Sequence, residues 1–312
     1  MHAAANNLRG GVSPRGTFLR GQSIIEYVLI IAVIGLVIVF AGPGLAGAIR
    51  NQFNQVTNTV DSGTSGDSFM SAEEKAYREA MKTVASKEAK DWTLDEQKAA
   101  ATDIANNGTS SVVYAKAKAA MDAETQWSVK LTNGKTMTYR IIGINHDDLA
   151  DGSGKAGLTF EATNGVLGEQ CMNTTNTNAG GWEKSEIRGR LNTGDFWSIL
   201  PAELQFKVKA VTKMTDNRGG GSAGTPSATV DKVFLLSSTE IYGDLDSDGA
   251  QYEYYQSKGI STSNYSEASG YNHWIRSVHV SKSTHFRIVG GGGNCVPAWA
   301  SNRFYVLPAF CF

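Results

Sequence analysis

A chain of 312 residues is long enough for two domains, or for one domain with a long appendage. Its 29 Lys+Arg against 30 Asp+Glu leave a formal charge of −1, which excludes the basic excess that draws a protein onto nucleic acid. Hydrophobic residues at 41% exclude a wholly disordered chain, and three cysteines, an odd number, exclude a disulfide scaffold.

The charge is unevenly placed. Residues 1–21 carry Arg9, Arg15 and Arg20 and no acid, and an apolar run (IIEYVLIIAVIGLVIVFAGPGLAGAI) starts at Ile24. Tyr27 to Ile49 holds no charge. As a helix it spans roughly 34 Å at ~1.5 Å per residue, enough to cross a bilayer with the arginines left on the cytoplasmic side. Three readings are open. One is a plain membrane anchor. The second is a signal peptide cut after Ala46-Gly47-Ala48, for which the apolar core is over-long. The third uses Glu26, because a carboxylate in a spanning helix costs roughly 2.5–3.5 kcal/mol at mid-depth and less near the surface.

Gly21-Gln22-Ser23-Ile24-Ile25-Glu26-Tyr27 and the apolar stretch after it resemble the N-terminus of the type IV-like pilins, most closely the Flp (Tad) class. The resemblance implies cleavage by a prepilin peptidase between Gly21 and Gln22. It implies a leader over 1–21 and a pilin-like transmembrane helix over 22–60. It also implies the membrane and other pilin subunits as partners, and a membrane-anchored location on the extracellular surface or in a pilus. In such a filament the new ammonium of Gln22 meets Glu26 of a neighbouring subunit, so that each buried charge has a partner. Flp pilins are usually very short, and this chain continues well past the apolar run.

Residues 61–68 (DSGTSGDS) read as a hinge. Ser71-Ala-Glu-Glu74 and Thr93-Leu-Asp-Glu96 are capping boxes that open two helices, Asn107-Gly108 is a stop, and a third helix runs from about Ser111 to Glu124. These Ala/Lys/Glu-rich segments predict a solvated helical stalk over 61–124. From Thr125 the pattern turns to strands. Trp127 to Thr132 and Lys135 to Ile144 flank Asn133-Gly134, which predicts a two-residue type I′ hairpin and a domain boundary near 125.

In the remainder, capped helices and alternating strands without βαβ spacing predict an α+β class. Trp182-Glu-Lys-Ser-Glu-Ile-Arg-Gly-Arg-Leu-Asn192, Asp231-Lys-Val-Phe-Leu-Leu-Ser237, Trp274-Ile-Arg-Ser277 and Pro308-Ala-Phe-Cys-Phe312 occur in that order. Together they resemble a widespread family of bacterial and phage surface domains. Ile275 replaces the usual Leu, and Leu307 stands where Arg is usual. That family is similar in pattern to C-type-lectin-like folds, which implies a mixed domain over 125–312 with short strands and a loop-rich face. Trp182, Phe196, Trp197, Phe206 and Phe234 read as core, whereas Tyr252, Tyr254 and Tyr255 fit either side of a strand.

Residues 270–303 set Tyr271, Asn272, His273, Val278, His279, His285, Asn294, Trp299 and Asn302 among glycines, the chemistry of a recognition surface for a protein or glycan ligand. The stretch also looks like the variable region of C-type-lectin-like proteins diversified by retroelements.

Asp244-Leu-Asp246-Ser-Asp248-Gly249 is the first half of a calcium loop. Tyr255 falls where the bidentate Glu is needed, so a calcium site and a solvated acidic turn both stand. Gly219 to Gly221 and Gly290 to Gly293 lack the strand-to-helix context of a phosphate loop. A Cys171–Cys295 bridge is left open, and Cys311 reads as a buried thiol. The expected function is a pilin-like surface subunit displaying a ligand-binding, adhesin- or receptor-like domain, without catalysis. The alternatives are a structural pilus or pseudopilin component, and a secreted enzyme on the lectin-like scaffold that uses Cys171 or Cys295.

Overall fold

The computed structural model describes residues 72–266, 268 and 270–312. The first layer is helical: α1 (Ala72–Ser86), a 3-10 turn (Ala89–Asp91), α2 (Leu94–Asn107), a second 3-10 turn (Gly108–Ser110) and α3 (Tyr114–Asp122). Thr93 caps α2 as its sequence requires. Its hydroxyl accepts from Glu96 N at 3.3 Å, and its own N–H donates to Glu96 Oε2 at 2.8 Å. The helix stops at Gly108, whose φ of +55 suits glycine.

The expected long N-terminal membrane-spanning helix is not part of the fold that the described residues form. Among the described residues no helix is long and apolar enough to cross a membrane. The longest of them, α1, has 15 residues and reaches only ~22 Å at ~1.5 Å per residue. Gly21, Gln22, Glu26 and Tyr27, with the expected 22–60 segment, lie outside the described residues, as does the Ser71 cap.

The helical layer is not a stalk either. Val84, Trp92, Ala100, Ala101, Ile104, Val113 and Ala117 are buried, and they join one hydrophobic core with the strands that follow. Trp127 Nε1 donates to Ala89 O at 3.1 Å, Tyr139 OH to Gln97 Oε1 at 3.1 Å, and Asn145 Nδ2 to Ile104 O at 3.0 Å. A Cβ on Gly157 would stand 1.8 Å from the Ala101 carbonyl oxygen, so α2 sits against backbone with no room for a side chain. The many alanines that suggested a solvated spacer are what let the helices approach this closely. All described residues fall in one compact unit.

The first sheet has the order β1-β2-β3-β12-β7, formed by β1 (Gln126–Lys130), β2 (Thr136–Ile144), β3 (Leu158–Ala162), β12 (Ala309–Cys311) and β7 (Val233–Phe234). Neighbours in it are antiparallel, and the C-terminal strand lies between β3 and β7. The β1–β2 turn differs from the expected type I′. Leu131 N bonds Lys135 O, Gly134 N bonds Leu131 O, and only Gly134 (φ +84) has positive φ. This is a type I turn followed by a glycine bulge, so Asn133-Gly134 sits one position later than a two-residue hairpin needs.

A second sheet has the order β10-β9-β8-β11-β4, from β10 (Cys295–Trp299), β9 (His285–Val289), β8 (His273–Val278), β11 (Phe304–Tyr305) and β4 (Glu169–Gln170). A separate hairpin pairs β5 (Val211–Thr215) with β6 (Ser227–Asp231). Short helices fill the connections: α4 (Gly181–Lys184), α5 (Glu186–Asn192), α6 (Asp195–Ser198), α7 (Ala202–Gln205), α8 (Ser238–Tyr242) and α9 (Glu253–Ser257). Tyr254 and Tyr255 are therefore helical rather than extended, Tyr252 is the extended N-cap before them, and all three are buried. Phe206, expected in the core, is 88% exposed, and nothing in the structure explains it.

Side chains alternate across a strand, and the first sheet uses the two faces differently. Trp127, Tyr139, Phe160 and Phe310 pack together, stacked or edge-on, on the face toward the helices. The opposite phase carries Arg140, Thr159, Glu161 and Cys311, and this polar face positions the site.

Candidate functional site

The sequence segments that resemble a surface-domain family are structural. In the α5 and β7 region, Asp231 accepts from Trp182 Nε1 at 3.0 Å and from Arg188 Nε at 2.6 Å, while Asn192 Nδ2 donates to Val233 O at 2.8 Å. In the centre, buried Arg276 pairs bidentately with Glu240. It also donates from Nε to Thr215 Oγ1 at 2.7 Å, from Nη1 to Leu235 O at 2.8 Å and from Nη2 to Asp248 O at 3.0 Å. Lys213 lies 2.5 Å from both Asp147 and Glu240. Thr159 Oγ1 and Tyr252 OH complete Asp147, at 2.6 and 2.9 Å. Burial opposes the Asp147 charge, but Lys213 and His146 outweigh it and hold the carboxyl well below its ordinary range. Glu240 is lowered in the same way, burial being overcome by Arg276 and Lys213. A fully satisfied buried network of this kind fixes a unique arrangement of the layers.

At one end the polar layer opens into a cleft of about 480 Å³. Its floor is the cross-strand pair Arg140 and Glu161, in register on β2 and β3, and its wall is α9 with Tyr254, Tyr255 and Lys258. Glu124, after α3, closes one side, and Tyr271 and His273 close another. Glu161 is 2% exposed and accepts from Tyr255 OH at 2.8 Å and from Arg140 Nη2 at 3.3 Å. Burial nonetheless dominates and raises its pKa, against the pull of Arg140. Glu124 is shifted oppositely, lowered by its hydrogen bond from Lys258, with a further bond from Tyr254 OH at 3.1 Å. The Arg140 guanidinium lies 4.0 Å from the Tyr254 ring centroid.

The residues expected to form a recognition surface separate. Tyr271 (41% exposed) and His273 reach the cleft, Tyr271 with its ring 5.4 Å from Tyr305. His273 is buried, and burial pushes its pKa down to about 4, so it is a neutral wall residue. Asn272 does not face the cleft contents but accepts from Gly291 N at 2.6 Å. Val278 is 1% exposed, because β8 is covered on both faces.

His285 and Trp299 are paired across β9 and β10 with ring centroids 5.8 Å apart, and Trp299 is 54% exposed. His279 N donates to His285 O, Asn302 N to Trp299 O, and Gly290 N to Asn294 O, so these three shape the hairpin through their backbones.

The three carboxylates of the calcium-loop motif are engaged separately. Asp244 accepts from Thr262 Oγ1 at 2.7 Å, Asp246 pairs with Arg287 at 2.9 Å, and buried Asp248 accepts from Asp216 N at 3.0 Å. Each carboxylate has its own protein partner, and no cluster of three metal-ligating side chains occurs among the described residues. All three cysteines are free thiols, so Cys171 and Cys295 are not bridged.

Sequence reasoning missed Arg140, Glu161, Glu124 and Lys258. The available signal was the charged phase of β2 and β3, where Arg140 and Glu161 alternate with Tyr139 and Phe160.

The fold and cleft define an α+β domain of two antiparallel-rich sheets, with a polar pocket at the end of a buried charge layer. The chain belongs to the family described as a domain of unknown function, DUF6273, whose model matches residues 154–312. No curated protein and no solved structure matches it.

Proposed function

We propose that this chain is a surface-displayed binding subunit whose C-terminal domain takes a polar ligand, a glycan on another cell or a matrix, in the cleft bounded by Arg140, Glu161 and Tyr254. The observation that carries the reading is the cleft itself. Its volume of about 480 Å³ suits a small sugar, and it combines ring surfaces with fixed hydrogen-bonding charges. Presentation at the surface rests on the pilin-like motif from Gly21 to Tyr27, with a prepilin peptidase and other pilin subunits as partners.

A cysteine-based enzyme acting through Cys295 has less support. Burial pushes the Cys295 thiol up to about 11 and raises that of Cys311 well above its ordinary value, so neither supplies a thiolate at neutral pH.

The binding half is tested with the full chain on a panel of immobilised mono- and disaccharides. Tyr271→Ala and Lys258→Ala, both at the rim, are each expected to weaken binding about tenfold, about 1.4 kcal/mol. Unchanged binding in both variants would remove the cleft from the proposal. For the presentation half, mass spectrometry of the mature protein is expected to give a start at Gln22, and an intact Met1 contradicts it.

A further inference from the structure

Two arginines in the same polar layer, Arg276 fully buried and Arg140 half-buried, are treated differently. Arg276 spends every nitrogen: Nε goes to Thr215, Nη1 to Leu235 O and Glu240, and Nη2 to Glu240, Asp248 O and Met214 O. Arg140 does not. Its Nε is buried and has no hydrogen-bond partner among the described residues. Its Nη1 faces Glu124 Oε2 at 3.7 Å, an ion-pair distance beyond hydrogen-bonding reach. Its Nη2 makes a long bond of 3.3 Å to Glu161, and the other hydrogen-bonding group beside the guanidinium, Tyr255 OH, is itself engaged by Glu161. The group nevertheless has a defined place, its Cζ 4.0 Å over the Tyr254 ring centroid at the lining of the cleft. A guanidinium offers five donors in a rigid fork, and leaving them unpaired away from water is costly.

The neighbouring carboxylates do not fill that role. Glu124 is held by Lys258 and by Tyr254 OH. Glu161 is engaged by Tyr255 OH, and its burial disfavours its charge. An acceptor brought in from solvent therefore finds an oriented cation with spare donors. The acceptor that matches this fork in shape and charge is a planar carboxylate.

We propose that the cleft binds a sugar acid, its carboxylate held by Arg140 while Glu161 takes up a proton from solvent. This rests on the binding reading above and names its ligand class. The incoming carboxylate adds a second negative charge beside Glu161 and competes for the same guanidinium, and both effects favour the neutral form of Glu161. The other groups facing Glu161 are Tyr254, Tyr255 and Lys258 from α9 and its end, Glu124 from the α3 side, neutral His273 from β8 and Glu240 from α8. Glu161 lies above its ordinary 4.5 in the empty site and rises further on binding. Affinity is thus highest below the empty-site value and falls as pH climbs from there to the bound-state value.

Calorimetry on the full chain with glucuronate, its methyl ester and glucose tests this, run in two buffers of different ionisation enthalpy. Glucuronate is expected to bind at least about tenfold more tightly than the ester or glucose, with net proton uptake. Arg140→Lys keeps the charge but loses the fork, and is expected to abolish most of that preference. Glu161→Gln mimics the protonated acid, and is expected to bind glucuronate at least as well as the parent with a flat pH profile. Equal affinities for glucuronate and glucose would overturn the sugar-acid inference and leave the binding reading standing. Binding of none of the three overturns both. A Glu161→Gln variant that keeps the parent pH profile and proton uptake overturns the role of Glu161.

Discussion

Residues 125–312 expressed alone are expected to be unfolded or aggregated, although sequence patterning places a boundary there. The fragment lacks α1 to α3 and so exposes the face of the first sheet on which Trp127, Val129, Tyr139 and Ile141 are buried. It also loses the buried side chains of Val84, Trp92, Ile104, Val113 and Met121. Burying a large apolar side chain is worth roughly 1.5–3 kcal/mol, and whole domains are stable by only about 5–15 kcal/mol. Losing several such residues from both sides of one interface exceeds that margin. Three polar ties go as well, leaving Trp127 Nε1, Tyr139 OH and Asn145 Nδ2 without their partners on the helical layer. Near-ultraviolet circular dichroism and dye binding to exposed apolar surface are the measurements. A fragment that unfolds cooperatively with the midpoint of the full chain would show that the helical layer is an accessory.

That dependence also explains what the sequence concealed. The α2 cap at Thr93, the β8 strand from Trp274 to Ser277 and the closing β12 strand are local, and their signals are unambiguous. The packing of the helices is not local. An alanine stripe reads the same whether it faces water or a close-packed backbone, and only the Gly157–Ala101 approach tells them apart. Likewise, three tyrosines at 252, 254 and 255 fit a strand or a helical turn, and the wall of the cleft exists only because Tyr254 and Tyr255 lie in the turn. Arg140 and Glu161 look like an ordinary solvent-face ion pair until α9 covers them. The recognition stretch was read from composition. Composition places polar and aromatic groups in a segment but does not say which are spent on hydrogen bonds within it, as Asn272 is, or buried, as Val278 is.

The largest single-residue effect is expected at Arg276. Replacing it with methionine leaves a side chain of similar length but removes five donors from a fully buried site. Glu240 keeps Lys213 but loses its bidentate partner, and the carbonyls of Leu235, Met214 and Asp248 lose a donor. Breaking one side of a buried ion pair costs about 3–5 kcal/mol, a large share of a domain's stability, and is read from urea unfolding. Pairing Arg276→Met with Glu240→Gln is expected to cost less than the two changes summed, because the second removes the stranded charge left by the first.

The same network sets the acid limit. Asp147 and Glu240 have folded-state pKa values below their ordinary 3.8 and 4.5, burial being outweighed by Lys213, Arg276 and the hydrogen bonds they receive. The stability they contribute is therefore complete above the ordinary carboxylate range and is lost as pH falls below it. Glu161 and Asp248, raised chiefly by burial, act with the opposite sign and weaken the fold where they ionise. The parent should thus lose stability steeply below about pH 4. Glu240→Gln, which no longer has that carboxylate to protonate, should start lower and fall less steeply. A variant whose acid transition has the parent's slope would show that the Glu240–Arg276 pair does not set it.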